Sequence, residues 1–113
     1  LFLNRRADYK RGDRIFSEGE DSAHFYVILS GRVKVFKTTP AGKEIILEFF
    51  GKGDPFGAVA VFEERPFPAS VIALEETICA LIPRRSFFDL IEGNASFVRG
   101  LLLGLTLPAH GAD

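Results

Sequence analysis

Two histidines and one cysteine are the whole supply of nitrogen and thiolate ligands in this chain. They are His24, His110 and Cys79, and they form no His-x-His or Cys-x-x-Cys pair of the kind a metal site needs. His24 reads as a surface or capping residue, His110 lies in a polar tail, and Cys79 reads as a small strand residue. No metal is expected. Nucleophilic catalysis is equally short of parts: Ser17, Ser30, Ser70, Ser86 and Ser96 have no histidine near them in sequence. Glu44 and Glu48 share a strand face, but no histidine pair accompanies them. What remains is chemistry of binding. A glycine-rich run, Gly51-Lys52-Gly53-Asp54-Pro55-Phe56-Gly57, leads into a few apolar positions and then a loop that ends at Pro68-Ala69-Ser70-Val71-Ile72-Ala73-Leu74.

The elements around those runs have a period of two. Val33 and Val35 share one face of 32–37, with Arg32 and Lys34 on the other, and Ile45, Leu47 and Phe49 alternate with Glu44 and Glu48. Such alternation predicts half-buried strands of an antiparallel sheet. Phe25-Tyr26-Val27-Ile28-Leu29 is continuously apolar and predicts a well-buried strand, and 70–74 and 77–82 predict two more. Turn signals separate them at Gly12-Asp13, Glu18-Gly19-Glu20, Ser30-Gly31 and Pro40-Ala41-Gly42-Lys43. Many short strands with glycine-rich turns predict a sandwich or barrel. After residue 82 the period changes. Pro83 suits a first helical turn, Phe87, Phe88 and Ile91 make one stripe, and Gly93 is a stop. A second helix is predicted over 95–107. Its apolar residues, Phe97, Val98, Leu101, Leu102, Leu103, Leu105 and Leu107, nearly encircle it, which points to pairing with a partner subunit. Pro108 ends it, and 108–113 reads as a loose tail.

Composition narrows the class. At 113 residues the chain suffices for one core, and no uncharged apolar run reaches the roughly 18 residues of a membrane span. The net charge of −1 argues against nucleic-acid binding by this piece alone. The basic residues Arg5, Arg6, Lys10, Arg11 and Arg14 read as a solvated segment balanced by Glu18, Glu20 and Asp21. A single cysteine permits no internal disulfide and fits the cytoplasm. Leu1 at the start and the lack of any methionine read as a piece of something longer.

The run Gly12-Asp13-Arg14-Ile15-Phe16, then Glu18-Gly19-Glu20, then 25–35, resembles the front half of a cyclic-nucleotide-binding domain. The stretch 51–57 resembles the approach to that family's phosphate-binding cassette, and 68–74 the strand after it. The likeness spans about residues 10 to 92 and is strongest to the sensor half of Crp/Fnr-type bacterial transcription regulators. It implies an all-β, double-stranded β-helix (jelly-roll) barrel with short flanking α-helices. It also implies effector sensing rather than catalysis, a homodimer, and DNA contacted only through a domain absent from this chain. On this reading 1–94 is the effector domain and 95–107 begins the dimerisation helix, carried by Phe97, Val98, Leu101, Leu102 and Leu105.

In that family an arginine neutralises the cyclic phosphate, backbone N–H groups of a short helix cradle it, and a glutamate takes the ribose hydroxyl. This chain keeps Gly57, Ala69 and Ser70, but has Ala58 at the glutamate position, Phe67 at the arginine position and Pro68 at the serine position. Losing one partner of a buried charge pair costs about 2–5 kcal/mol. The expectation is therefore a degenerate cassette that disfavours cyclic AMP. A different small-molecule effector would sit among Phe49, Gly57, Ala58, Val59, Phe67, Pro68, Ala69 and Ser70, with Arg65 left as a solvated loop residue. Haem is not expected. The alternatives are a ligandless dimerisation scaffold and a metal-binding, cupin-like enzyme.

Overall fold

A computed structural model describes residues 5–86 and Asp89. Within them the alternating segments form β1 (Arg5–Tyr9), β2 (Arg14–Phe16), β3 (His24–Ser30), β4 (Arg32–Thr38), β5 (Glu44–Gly51), β6 (Pro55–Phe56), β7 (Ser70–Ala73) and β8 (Thr77–Pro83). One short helix, α1 (Ala58–Glu63), interrupts them. Two four-stranded antiparallel sheets result, in the orders β1-β8-β3-β6 and β2-β7-β4-β5. The chain changes sheet at every connection between consecutive strands except β4–β5, which is the jelly-roll architecture expected.

The register shows why the period of two selects this fold. On the first sheet Tyr26 lies opposite Leu81 and Phe56, and Ile28 opposite Cys79. On the second, Val33 lies opposite Phe50, and Val35 opposite Val71. These inward residues make one core with Phe16, Ala60 and Phe67. The outward set of β3 and β8 is not left to solvent: Phe25 and its partner Ile82 are buried, and α1 packs against β3.

The basic residues Arg5, Arg6, Lys10, Arg11 and Arg14 are exposed, as read, and the segment is also a strand: Arg5–Tyr9 pairs with β8, and Ala7 and Tyr9 pack on the core. Two expectations need correction. Pro83 ends a strand, opposite His24, rather than opening a helix; the next N–H, of Arg84, donates to the carbonyl of Ala23 (3.1 Å). Residues 84–86 and Asp89 are helical. Finally, β5 is an edge strand, not a half-buried one. Ile45, Ile46, Leu47 and Phe49 are 46%, 49%, 51% and 47% exposed. A bulge between Val35 and Phe36 breaks the simple alternation, so Phe49 shares a face with Lys34 while Phe50 turns inward with Val33. The segment 95–107, with its dimer residues, and the tail 108–113 lie outside the described residues.

The β3–β4 turn depends on one glycine. Gly31 has φ +103, and a Cβ there would collide with Thr77 Oγ1, the Glu76 carbonyl oxygen and Thr77 Cα. Gly31→Ala is expected to cost more than ~2 kcal/mol, combining left-handed strain with a backbone clash. Urea unfolding checks this; a loss below ~0.5 kcal/mol would contradict the placement of the turn.

Candidate functional site

The glycine-rich run ends on Gly57, whose φ of +84 turns the chain from β6 into α1. The helix buries Ala60 and Val61 and exposes Val59 and Phe62. It ends at Glu64, a non-glycine residue in the left-handed region (φ 56), whose N–H reaches back to the carbonyl of Val61 (3.1 Å). The chain then descends through Arg65 and Pro66 to Phe67.

Phe67 is fixed from every side. Its N–H donates to the Glu20 carbonyl (2.9 Å), and its own carbonyl accepts from the Gly19 N–H (2.8 Å). Its ring is 4% exposed and lies flat on Phe16, with centroids 3.6 Å apart and planes 8° from parallel. Tyr26 stands at 6.5 Å from it, and Phe16 also meets Tyr26 at 5.5 Å and Phe56 at 5.9 Å. Gly57 approaches the same ring: a Cβ on it would be 3.1 Å from Phe67 Cε1. Four aromatic rings and a glycine thus fill the space between the cassette turn and the two sheets. Aromatic pairs of this sort add about 0.5–1.5 kcal/mol each beyond their burial.

The eight residues expected to line a pocket divide accordingly. Gly57 and Phe67 meet, and Ala58 follows Gly57 at the first position of α1. Ala69 is buried, while Pro68 and Val59 are exposed. Ser70 pairs opposite Phe36 on the face away from Val35 and Val71; its Oγ accepts from the Glu18 N–H (2.9 Å) and lies 3.5 Å from Arg14 Nη1. Phe49 occupies that same outer face, 5.9 Å from the Arg32 guanidinium. Arg65 is exposed. Sequence reasoning passed over Phe16, Tyr26 and Phe56. Their signal was strand parity: each falls on the inward face once the register is known.

The ionisable groups of this core are held neutral. Burial pushes the Cys79 thiol up to about 11. Burial, then the neighbouring Tyr26 and Cys79, push the Tyr9 hydroxyl up to about 12, and burial also raises Tyr26. His24 is lowered by burial and then by Arg5. Among the described residues no three His, Cys, Asp or Glu side chains group so as to hold a metal ion. No described helix is long and apolar enough to cross a membrane.

The profile of the family described as "Cyclic nucleotide-binding domain" matches residues 6–94. The chain belongs to the cyclic nucleotide-binding domain family. It is similar to the CRP-like cAMP-activated global transcriptional regulator of Mycobacterium tuberculosis, with 36% identity over 69 residues, 61% of this chain and 31% of that protein. Its fold is similar to the catabolite activator protein of Thermus thermophilus, with a TM-score of 0.78 and 31% identity over 89% of this chain and 47% of that one. It also resembles the EAL enzyme Bd1971 in its cAMP-bound form, with a TM-score of 0.75 and 30% identity over 89% of this chain and 27% of that one. The chain therefore spans about a third of the first relative's length and less than half of either structure.

Raised acid constants carry a sign. Cys79 and Tyr9 hold their protons more tightly when folded than at their ordinary values of 9.0 and 10.0. Their contribution is complete below the ordinary value and is lost as pH rises through the folded one. The unfolding midpoint is expected to fall from about pH 9 to 11 for Cys79 and onward to about 12 for Tyr9. Cys79→Ser should flatten the first part of that slope. A profile level across pH 9 to 11 would contradict the burial of the thiol.

Proposed function

We propose that this chain is the effector-sensing domain of a CRP-like transcription regulator whose cassette does not hold cyclic AMP in the family's usual way. The observation that carries the second half is the Phe67–Phe16 stack against Gly57. Where the family resemblance puts a phosphate-neutralising arginine, this chain has a ring that already belongs to the core. Ala58 adds no carboxylate for a ribose hydroxyl, and Arg65 is exposed rather than aimed inward. An anionic ligand would have to displace an aromatic ring without gaining a charge partner. An uncharged or aromatic effector would exchange one apolar contact for another, which is the class of guest we infer.

The first half rests on the relatives. One is named as a cAMP-activated transcriptional regulator, and this chain spans 31% of it. On that pattern, DNA is contacted by a domain outside these residues, in the cytoplasm. The apolar 95–107 segment joins two copies through Phe97, Val98, Leu101, Leu102 and Leu105. Effector binding would act by biasing the two-copy arrangement towards one of its states. The domain itself then has no catalytic part. A second reading, direct cyclic-nucleotide binding, is favoured by the cAMP-bound form of Bd1971 at 30% identity.

One experiment separates the two. A ligand at 100 times its Kd stabilises a domain by about 2.7 kcal/mol, several degrees of midpoint at this size. Wild type is expected to show no shift in millimolar cyclic AMP or cyclic GMP. Ala58→Glu combined with Phe67→Arg is expected to lower the midpoint without ligand and to gain a cyclic-AMP shift that wild type lacks. A shift in wild type would establish the second reading instead.

A further inference from the structure

Ser22 precedes β3 and is fully buried (0% exposed). Three distant stretches of chain meet at it. Its Oγ lies 2.5 Å from the carbonyl oxygen of Arg65, just past the end of α1, and 3.3 Å from that of Ala60 inside the helix. Arg84, the first residue after β8, brings Nη2 to 2.8 Å from the Ser22 carbonyl oxygen and 3.3 Å from Ser22 Oγ. A serine hydroxyl has one proton to donate and lone pairs to accept with. The proton must go to the α1 carbonyls, because a guanidinium only donates. The polarity of the junction is therefore fixed: Arg84 donates to Ser22, and Ser22 donates to the end of α1.

Ser22 meets the chain where α1 ends. A helix end leaves carbonyls without intrahelical partners. Here the last turn closes through Glu64 in a left-handed conformation, with Arg65 N–H donating to the Ala60 carbonyl (3.0 Å). The carbonyl of Arg65, one residue beyond the cap, accepts from the Ser22 hydroxyl. On the other side Nη2 is the guanidinium nitrogen that meets Ser22; Nε is buried with no hydrogen-bond partner among the described residues, and the backbone N–H of Arg84 donates to the Ala23 carbonyl.

We propose that Ser22 and Arg84 are positioning residues that join the last turn of the cassette helix to the residue leaving the barrel. A displacement of α1 must then strain or break the Arg84 bonds, and a displacement of Arg84 must release α1; such coupling is reciprocal. Using the junction for sensing rests on the function proposed above. The junction itself is a property of the free domain, so its test needs no ligand and can fail or succeed separately from that reading.

The test is amide hydrogen exchange on the chain as it stands, comparing wild type with Ser22→Ala, Arg84→Gln, Arg84→Lys and the double variant Ser22→Ala/Arg84→Gln. Loss of a charge-assisted hydrogen bond to a buried group is expected to speed local opening by roughly tenfold. Arg84→Gln should therefore accelerate exchange at Glu64 and Arg65, although they lie far from it in sequence. The β3–β4 ladder should keep its wild-type rates. Ser22→Ala should accelerate Glu64, Arg65 and Arg84 together, and the double variant should be no faster than the faster single one. Arg84→Lys, which keeps a donor for the Ser22 carbonyl, should restore part of the protection, and it carries the comparison if Arg84→Gln does not fold. Wild-type rates at Glu64 and Arg65 in the Arg84 variants would overturn the proposal. So would acceleration spread evenly through β3 and β4, or single effects that multiply in the double variant.

Discussion

The flat contact between Phe16 and Phe67 is the constraint on which the rest of this domain depends. Phe16 ends a three-residue strand of one sheet; Phe67 belongs to the loop that returns from α1 to β7. Their stack joins the cassette loop to the sheet, and Tyr26 and Phe56 carry the same cluster across to the other sheet. The two hydrogen bonds between the Phe67 backbone and Gly19 and Glu20 hold the loop in place while the ring faces inward. A core residue and a cassette residue are here the same residue. That is unusual for a binding loop, which ordinarily draws on the less stable part of a fold.

Much of the architecture was legible in the sequence because it follows from parity. Val33 and Val35 against Arg32 and Lys34 identify the inward face of β4, and the register bears this out. The Ser30-Gly31 turn was equally readable from its glycine, and the structure supplies the reason for that residue: the close approach to Thr77 admits no Cβ. Parity failed where a local irregularity intervened. Phe49 reads as core by alternation, but the bulge in the β4–β5 pairing sends it outward and brings Phe50 in. Likewise, Arg5–Tyr9 was obscured by its charges. Arg5, Arg6 and Asp8 face water on an edge strand, while Ala7 and Tyr9 alone record the buried side.

The binding residues were the least legible part, for a physical reason. Which cassette positions converge is set by the descent from α1 to β7, and that path is governed by contacts remote in sequence. Ser70 was expected beside Phe67, yet one step along a strand reverses the face, and its hydroxyl serves the Glu18 N–H instead. Ser22 carried no motif at all. Its place at the meeting of α1 and Arg84 arises only when segments separated by 38 to 62 positions come together.

The most direct test of the account is a two-dimensional amide NMR titration of the wild-type domain with cyclic AMP. If Phe67 fills the space next to Gly57, the amides of Gly57, Ala58 and Phe67 will stay where they are up to millimolar nucleotide. Saturable movement of those three signals, with changed ring-current shifts around Phe16, would show that the nucleotide enters the cassette and that Phe67 yields to it.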